Sequence, residues 1–184
     1  MSRRLLLALG ILGVAAVGVG FVGVSHAALP AGAAAPDFTA PAFLAGKPFT
    51  FKLADALKKG PVVLYFFPAA HTPGCNIEAH EFADATDKFK AAGATVIGVT
   101  AGNVDQLADF SKEQEHCAGK FPVAADADLS IIKSYDVVNP SRSTFSSRTS
   151  FVIDRGHKVV FSMSDPKPDG HIEKSLAAVE GLKK

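Results

Sequence analysis

The apolar positions of this chain repeat with different periods in different places. PVVLYFF, residues 61–67, is an unbroken run of β-branched and aromatic side chains ended by Pro68. Such a run reads as a strand buried on both faces, as in a parallel sheet lying under helices. TVIGV, residues 95–99, reads the same way. Between them the period changes. From Cys75 to Ala92, Ile77, Phe82, Ala85 and Phe89 fall on one helical face. Glu78, Glu81, Asp84, Asp87 and Lys88 lie mostly elsewhere, as on a solvated face, and Gly93 is a natural stop.

The same reading extends in both directions. PDFTAPAF and FTFKL flank Gly46-Lys47-Pro48 as two short strands. Asn103 and Gln106 form a capping-box-like start to a helix running to about Cys117. FPVAAD is a short extended segment, DLSIIKSYDV a short helix, and NPSRSTFSSR a polar loop. TSFVID and KVVFSM flank Arg155-Gly156-His157 as a hairpin. Residues 170–182 close the chain as an amphipathic helix with Ile172, Leu176, Val179 and Leu182 on its apolar side. The resulting order β-β-β-α-β-α-β-α-β-β-α predicts an α/β layered domain with a largely parallel centre and an antiparallel edge.

Residues 1–27 stand apart. Arg3 and Arg4 precede an uncharged apolar run from Leu5 to Val24, which ends at Ser25-His26-Ala27. This is the pattern of a signal peptide cleaved after Ala27. Residues 5–24 are also about long enough to serve as an uncleaved membrane anchor. Both readings export residues 28–184 to a periplasmic or extracellular space, as one domain. The chain has 184 residues, 48% of them hydrophobic, enough for one substantial core. Its net charge of +1, without a basic block, gives no reason to expect nucleic acid as a partner.

Two cysteines, Cys75 and Cys117, make a structural disulfide the plain default for an exported chain. A domain of this size folds without such a crosslink, which leaves the thiols free for chemistry. Cys75 falls at a strand-to-helix junction, on the carboxyl side of a buried strand, where α/β sheets gather their active sites. The first turn of a helix favours an anion, here a thiolate. Pro73 stiffens the approach, Gly74 permits close backbone contact, and Thr72 offers a hydroxyl. Taken alone, Thr72 and Pro68 could equally be turn residues, and Arg142 and Arg148 surface charges.

The run from Pro68 to Cys75, Pro-x-x-x-Thr-x-x-Cys, resembles the peroxiredoxin motif. VVLYFFP and TPGC followed by Glu78-Ala79 look most similar to the Q-type, or bacterioferritin-comigratory, subgroup. The similarity continues through Pro36–Phe38, FPVAADAD and RTSFVID, and so covers nearly all of the chain after residue 27. The resemblance implies a thioredoxin-like fold, with a central mixed sheet flanked by helices, and thiol-dependent reduction of hydrogen peroxide or organic hydroperoxides. Cys75 would be the peroxidatic cysteine, Thr72 would hold the peroxide oxygens, Pro68 would shield the pocket, and Arg148 would favour the thiolate. Arg148 is preferred to Arg142 because it directly precedes the matching strand. Glu78 could support that arginine or the helix start, but a solvated helix face is the simpler reading. No cofactor or metal is called for, because sulfur carries both electrons. The implied partners are the peroxide and a thioredoxin-like or glutaredoxin-like reductant. Q-type relatives favour a monomer, with a dimer as the alternative.

Relatives often carry a resolving cysteine five residues after the first; this chain has His80 there. That leaves Cys117, near the end of a second helix that looks extended, as a resolving cysteine, a passive thiol or one end of a permanent disulfide. Three rivals come from other classes, and one, a binding or structural module stapled by Cys75–Cys117, gives no reason for a Pro-Thr-Cys turn at the end of a buried strand. A thiol–disulfide exchange protein should carry Cys-x-x-Cys, where this chain has Cys75-Asn76-Ile77-Glu78. A copper or zinc protein could draw on His71, Cys75, His80 and His116. Their spacing matches no metal signature, and exposed histidines explain them more simply.

Overall fold

The computed structural model describes residues 28–182, so the segment expected to be a signal peptide or anchor, residues 1–27, lies outside the described residues. In chain order the elements are β1 (Thr39–Leu44), β2 (Lys47–Lys52), α1 (Leu53–Leu57), β3 (Val62–Phe66), α2 (Pro73–Ala91), β4 (Thr95–Thr100) and α3 (Leu107–Lys112). They continue with β5 (Val123–Ala125), α4 (Ser130–Ser134), β6 (Val138–Asn139), β7 (Arg142–Ser146), β8 (Thr149–Ile153), β9 (Val159–Ser164) and α5 (His171–Gly181).

Seven strands form one sheet in the order β2-β1-β5-β4-β3-β8-β9. Only β3–β4 and β4–β5 are parallel; the other pairings are antiparallel. The parallel part is therefore confined to three central strands. Those strands are joined through helices, whereas the hairpins at either end turn back directly. The sheet is mixed and helices cover it, the architecture expected of a thioredoxin-like chain.

β3 divides the core by simple alternation. Val62, Leu64 and Phe66 face one layer with Leu53, Leu57, Ile132, Tyr135 and Phe151. Val63, Tyr65 and Phe67 face the other, with Phe82, Phe89, Phe110, Phe121 and Val179. All five residues of β3 are buried, which accounts for its unbroken apolar sequence. Both cysteines belong to the second layer.

Several elements differ from the periodicity. α1 starts at Leu53, where the second strand was expected to continue, so that Leu53 and Leu57 plug the first layer. The loop NPSRSTFSSR contains β7, which pairs with β6 in a separate two-stranded ribbon. α3 ends at Lys112, well before Cys117, and a 3-10 turn over Val104–Gln106 precedes it. Asn103 caps no helix N–H; it adopts φ 53°, and its side-chain amide donates to the Ala70 carbonyl at 2.8 Å. On α5 Val179 is buried but Leu182 is exposed, while His171 and Ser175, polar in sequence, are buried.

Candidate active site

β3 delivers the chain to a short loop, residues 68–72, that is fixed mainly by polar contacts to its backbone. Thr100 Oγ1 donates to the Pro68 carbonyl at 3.0 Å, and Thr72 Oγ1 donates to the Ala69 carbonyl at 3.0 Å. Gly102 is needed for this approach: a Cβ there would lie 2.4 Å from the Pro68 oxygen. His71 takes φ 58°, a left-handed conformation that a non-glycine residue adopts at a cost. Its ring is held on both sides, by Gln106 Oε1 and by Glu113 Oε2, each at 2.8 Å.

Thr72 then ends the loop and Pro73 opens α2. Proline suits that position because its missing N–H would have no partner in the helix. The Asn76 amide is the first to close a helical bond, to Thr72 at 2.9 Å. The amides of Gly74 and Cys75 precede that bond and have no intrahelical acceptor. Cys75 sits among these groups, 2% exposed.

Arg148 enters from the link between β7 and β8. Its Nη2 lies 3.7 Å from Cys75 Sγ, its Nε donates to the Pro166 carbonyl at 3.1 Å, and its Nη1 donates to Glu78. Gly74 makes room for it, since a Cβ there would meet Nη2 at 3.0 Å. Arg142 stands on β7, exposed, its guanidinium 5.9 Å from the Phe145 ring centre. Pro68 and Thr72 border a cleft of about 450 Å³ with Asn103, Arg142 and Phe145. Pro68 also borders a second cleft of about 340 Å³, together with Arg148. The structure thus brings together Cys75 and Arg148 and sets Pro68 and Thr72 on the adjoining loop.

Glu78 corrects the sequence reading. It is fully buried rather than on a solvated face, and Ile77, expected in the core, is 51% exposed. The buried stripe of α2 includes Cys75, Glu78, Ala79 and Phe82, whose offsets of three, four and seven from Cys75 set them on one helical face. Anchoring the helix face on Cys75 instead of Ile77 would have found it. Burial pushes the Glu78 carboxyl up to about 8, with Arg148 pulling the other way.

Behind Glu78 stands His171, also fully buried and not singled out from sequence. Its Nδ1 is 2.8 Å from Ser150 Oγ and 3.9 Å from Glu78 Oε1, and its Nε2 is 3.2 Å from the Asp165 carbonyl. Burial is the largest influence on this imidazole and lowers its pKa; Arg148 and Lys174 act in the same direction, and Asp165 opposes them. The unfolded chain therefore takes up a proton near pH 6.5 that the folded chain takes up only at lower pH. The contribution of His171 to stability should be full above about pH 6.5 and be lost as pH falls through its folded pKa. Denaturant unfolding across pH 4.5–7.5 checks this: His171→Gln should be less stable at neutral pH but show a shallower acid decline.

Cys117 lies in the turns after α3, not on a helix. It is fully buried, and burial pushes its thiol well above the ordinary range. Both cysteines are free thiols. The Cys117 segment is held by local bonds, Ala118 N to the Glu113 carbonyl and Gly119 N to the Ser111 carbonyl, each at 2.9 Å. The histidines also depart from expectation. His80 is exposed, but His71 is half-buried and His116 is buried. His71 and His116 come together on Glu113, a residue not singled out from sequence, and leave Cys75 and His80 outside the group.

Residues 31–162 match the AhpC/TSA family. A chloroplastic peroxiredoxin Q of Sedum lineare is 31% identical over 74% of this chain and 76% of its own length. A putative peroxiredoxin of Mycobacterium tuberculosis is 32% identical over 72% of this chain and 86% of its own. Among solved structures, the peroxidoxin BcpB of Mycobacterium tuberculosis superposes with a TM-score of 0.74 at 30% identity, over 84% of this chain and 98% of that one. The reduced 2-Cys peroxiredoxin of Plasmodium vivax, at 21% identity and a TM-score of 0.73, covers 83% of this chain and 96% of its own and shares the fold. With its thiol at the start of α2 and an arginine beside it, this chain belongs to the AhpC/TSA family and is a thiol-dependent peroxidase of the peroxiredoxin kind.

Proposed function

We propose that Cys75 is the residue oxidised by peroxide and that Cys117 resolves the product. The observation that carries the first part is the guanidinium of Arg148, 3.7 Å from a sulfur seated in the first turn of α2. Arginine stays charged at every working pH and favours the thiolate over the thiol. The thiolate attacks one peroxide oxygen and the O–O bond breaks. Cys75 becomes a sulfenic acid, and the other oxygen leaves as water or an alcohol after taking up a proton. Arg148 and the free amides of α2 face the charge that develops on the leaving oxygen, the arrangement that contributes most to many enzymes. Thr72 and Pro68 would border the path by which the peroxide enters.

In the second step the Cys117 sulfur attacks the Cys75 sulfur, water leaves, and a disulfide forms. Burial keeps Cys117 unreactive until its segment opens. Placing Cys117 beyond α3 supports this step, because turns held by a few local bonds open more readily than a helix buried on one face. A thioredoxin-like or glutaredoxin-like dithiol would then reduce the disulfide. We further infer an exported, monomeric enzyme, from the pattern of residues 1–27 and from the Q-type likeness.

Peptide mapping of the reduced protein after one equivalent of hydrogen peroxide tests the pairing. A Cys75–Cys117 linked peptide is expected, absent from Cys117→Ser. Sulfinic Cys75 beside free Cys117 in the wild type would remove Cys117 from the mechanism.

A further inference from the structure

His71, Glu113 and His116 offer donor atoms that all lie within 4.8 Å of one another, and none of the three is used by the peroxidase chemistry. Glu113 Oε2 is 2.8 Å from His71 Nε2 and 2.7 Å from His116 Nδ1. We propose that these side chains form a binding site for a divalent transition metal of the zinc class, and that an ion bound there fastens the Cys117 segment to the active-site loop.

The donor set is the first argument. Two imidazoles and a carboxylate are ligands that zinc accepts, and three protein ligands leave a fourth, open position for water. The second argument is orientation. Gln106 Oε1 sits 2.8 Å from His71 Nδ1, so an N–H there is held and Nε2 is turned toward Glu113. This is the outer contact that metal-ligating histidines commonly make. Phe110 fixes both rings: His116 stacks on it at 4.8 Å between centres, and His71 meets it edge-on at 5.3 Å. The third is access. The His71 and Glu113 side chains are 29% and 40% exposed, so the cluster opens to solvent while His116 forms its inner wall. Zinc bonds of about 2.0–2.1 Å place tetrahedral ligands about 3.3 Å apart. An ion would replace the protons now shared with Glu113 Oε2 and set each imidazole nitrogen roughly 0.5 Å further from that oxygen. Rotation of His71 and Glu113, both partly exposed, supplies that while His116 keeps its place.

Location gives the site a consequence. His71 belongs to the loop between Pro68 and Thr72, whereas Glu113 and His116 bracket the turn that ends in Cys117. An ion spanning them opposes the opening that lets Cys117 reach Cys75, a consequence that rests on Cys117 being the resolving thiol.

Calorimetric titration of the reduced protein with zinc(II) tests the site apart from the thiols. One saturable equivalent is expected in the wild type and in Cys75→Ser/Cys117→Ser. It should be lost in His116→Gln and Glu113→Gln, and Gln106→Leu should bind about tenfold to a hundredfold more weakly. Zinc should raise the melting temperature of the wild type and leave that of His116→Gln unchanged, which separates lost ligation from a damaged fold. Binding that vanishes with the thiols, or that survives His116→Gln, overturns the site. Saturating zinc should also slow Cys75–Cys117 linkage after peroxide in the wild type and not in His116→Gln; equal rates overturn the fastening. Failure of the metal-free protein to form any linkage counts against Cys117 as resolver and leaves the titration untouched.

Discussion

Serine at position 75 is expected to end peroxide consumption while leaving the fold in place. Serine differs from cysteine in one smaller atom, and the site already surrounds position 75 with polar groups, the Arg148 guanidinium at 3.7 Å from the sulfur among them. The chemistry does not survive the change. A serine hydroxyl near neutral pH supplies almost no anion, and among the described residues the side chain paired with position 75 is Arg148, which is no general base. Arg148 donates and cannot take a proton away. Cys117 offers no substitute, because it is fully buried and its thiol is held neutral. Peroxide loss should therefore fall to the uncatalysed rate with a dithiol donor present. Cys117→Ser should behave differently: it keeps the first oxidation of Cys75 in single turnover and loses the linked product. Stopped-flow peroxide reduction for the three proteins checks both statements. Substantial activity in Cys75→Ser would move the reacting sulfur elsewhere.

The parts legible in the sequence are those where one local signal decides. β3 is an unbroken apolar run, and it is buried throughout. α2 begins with Thr-Pro-Gly and carries Cys75 into its first turn, as the turn residues imply. What was not legible depends on partners distant along the chain. Glu78 looks like any acidic residue of an exposed helix until Arg148, 70 residues away, arrives beside it. His171 is buried because Ser150 and the Asp165 carbonyl take its two nitrogens. Glu113 carries no motif; it matters only because the turns after α3 bring His116 back to it while His71 arrives from another loop. The end of α3 was misplaced for a related reason. Residues 113–117 contain no glycine or proline, and the helix stops because Glu113 turns extended, at ψ 132°, and leads into the turns that bury Cys117.

The second large effect is at Arg148, where two roles must be separated. Replacing it with methionine keeps most of the volume and removes the charge. Loss of a donor aimed at developing charge lowers such rates about a hundredfold to a thousandfold, and that is the expected fall in the rate constant with peroxide. The same change strands Glu78, which is fully buried. Breaking a buried ion pair from one side costs about 3–5 kcal/mol, and the lower end is expected because this carboxyl can escape by holding a proton. The pH dependence identifies that escape. A carboxyl whose folded pKa stands above its unfolded value contributes stability that is fully present below the unfolded pKa and is lost as pH rises through the folded one. With Arg148 gone the folded pKa moves higher still, so Arg148→Met should be nearly as stable as wild type at pH 4.5 and progressively worse toward pH 9. Adding Glu78→Gln removes the titrating group. The double variant should recover stability at pH 8 and lose the slope, yet remain slow with peroxide. Denaturant unfolding and stopped-flow kinetics on the same three proteins resolve the two roles. Recovery of rate together with stability would mean that Arg148 serves only to neutralise Glu78, and that the guanidinium beside Cys75 does nothing for the sulfur.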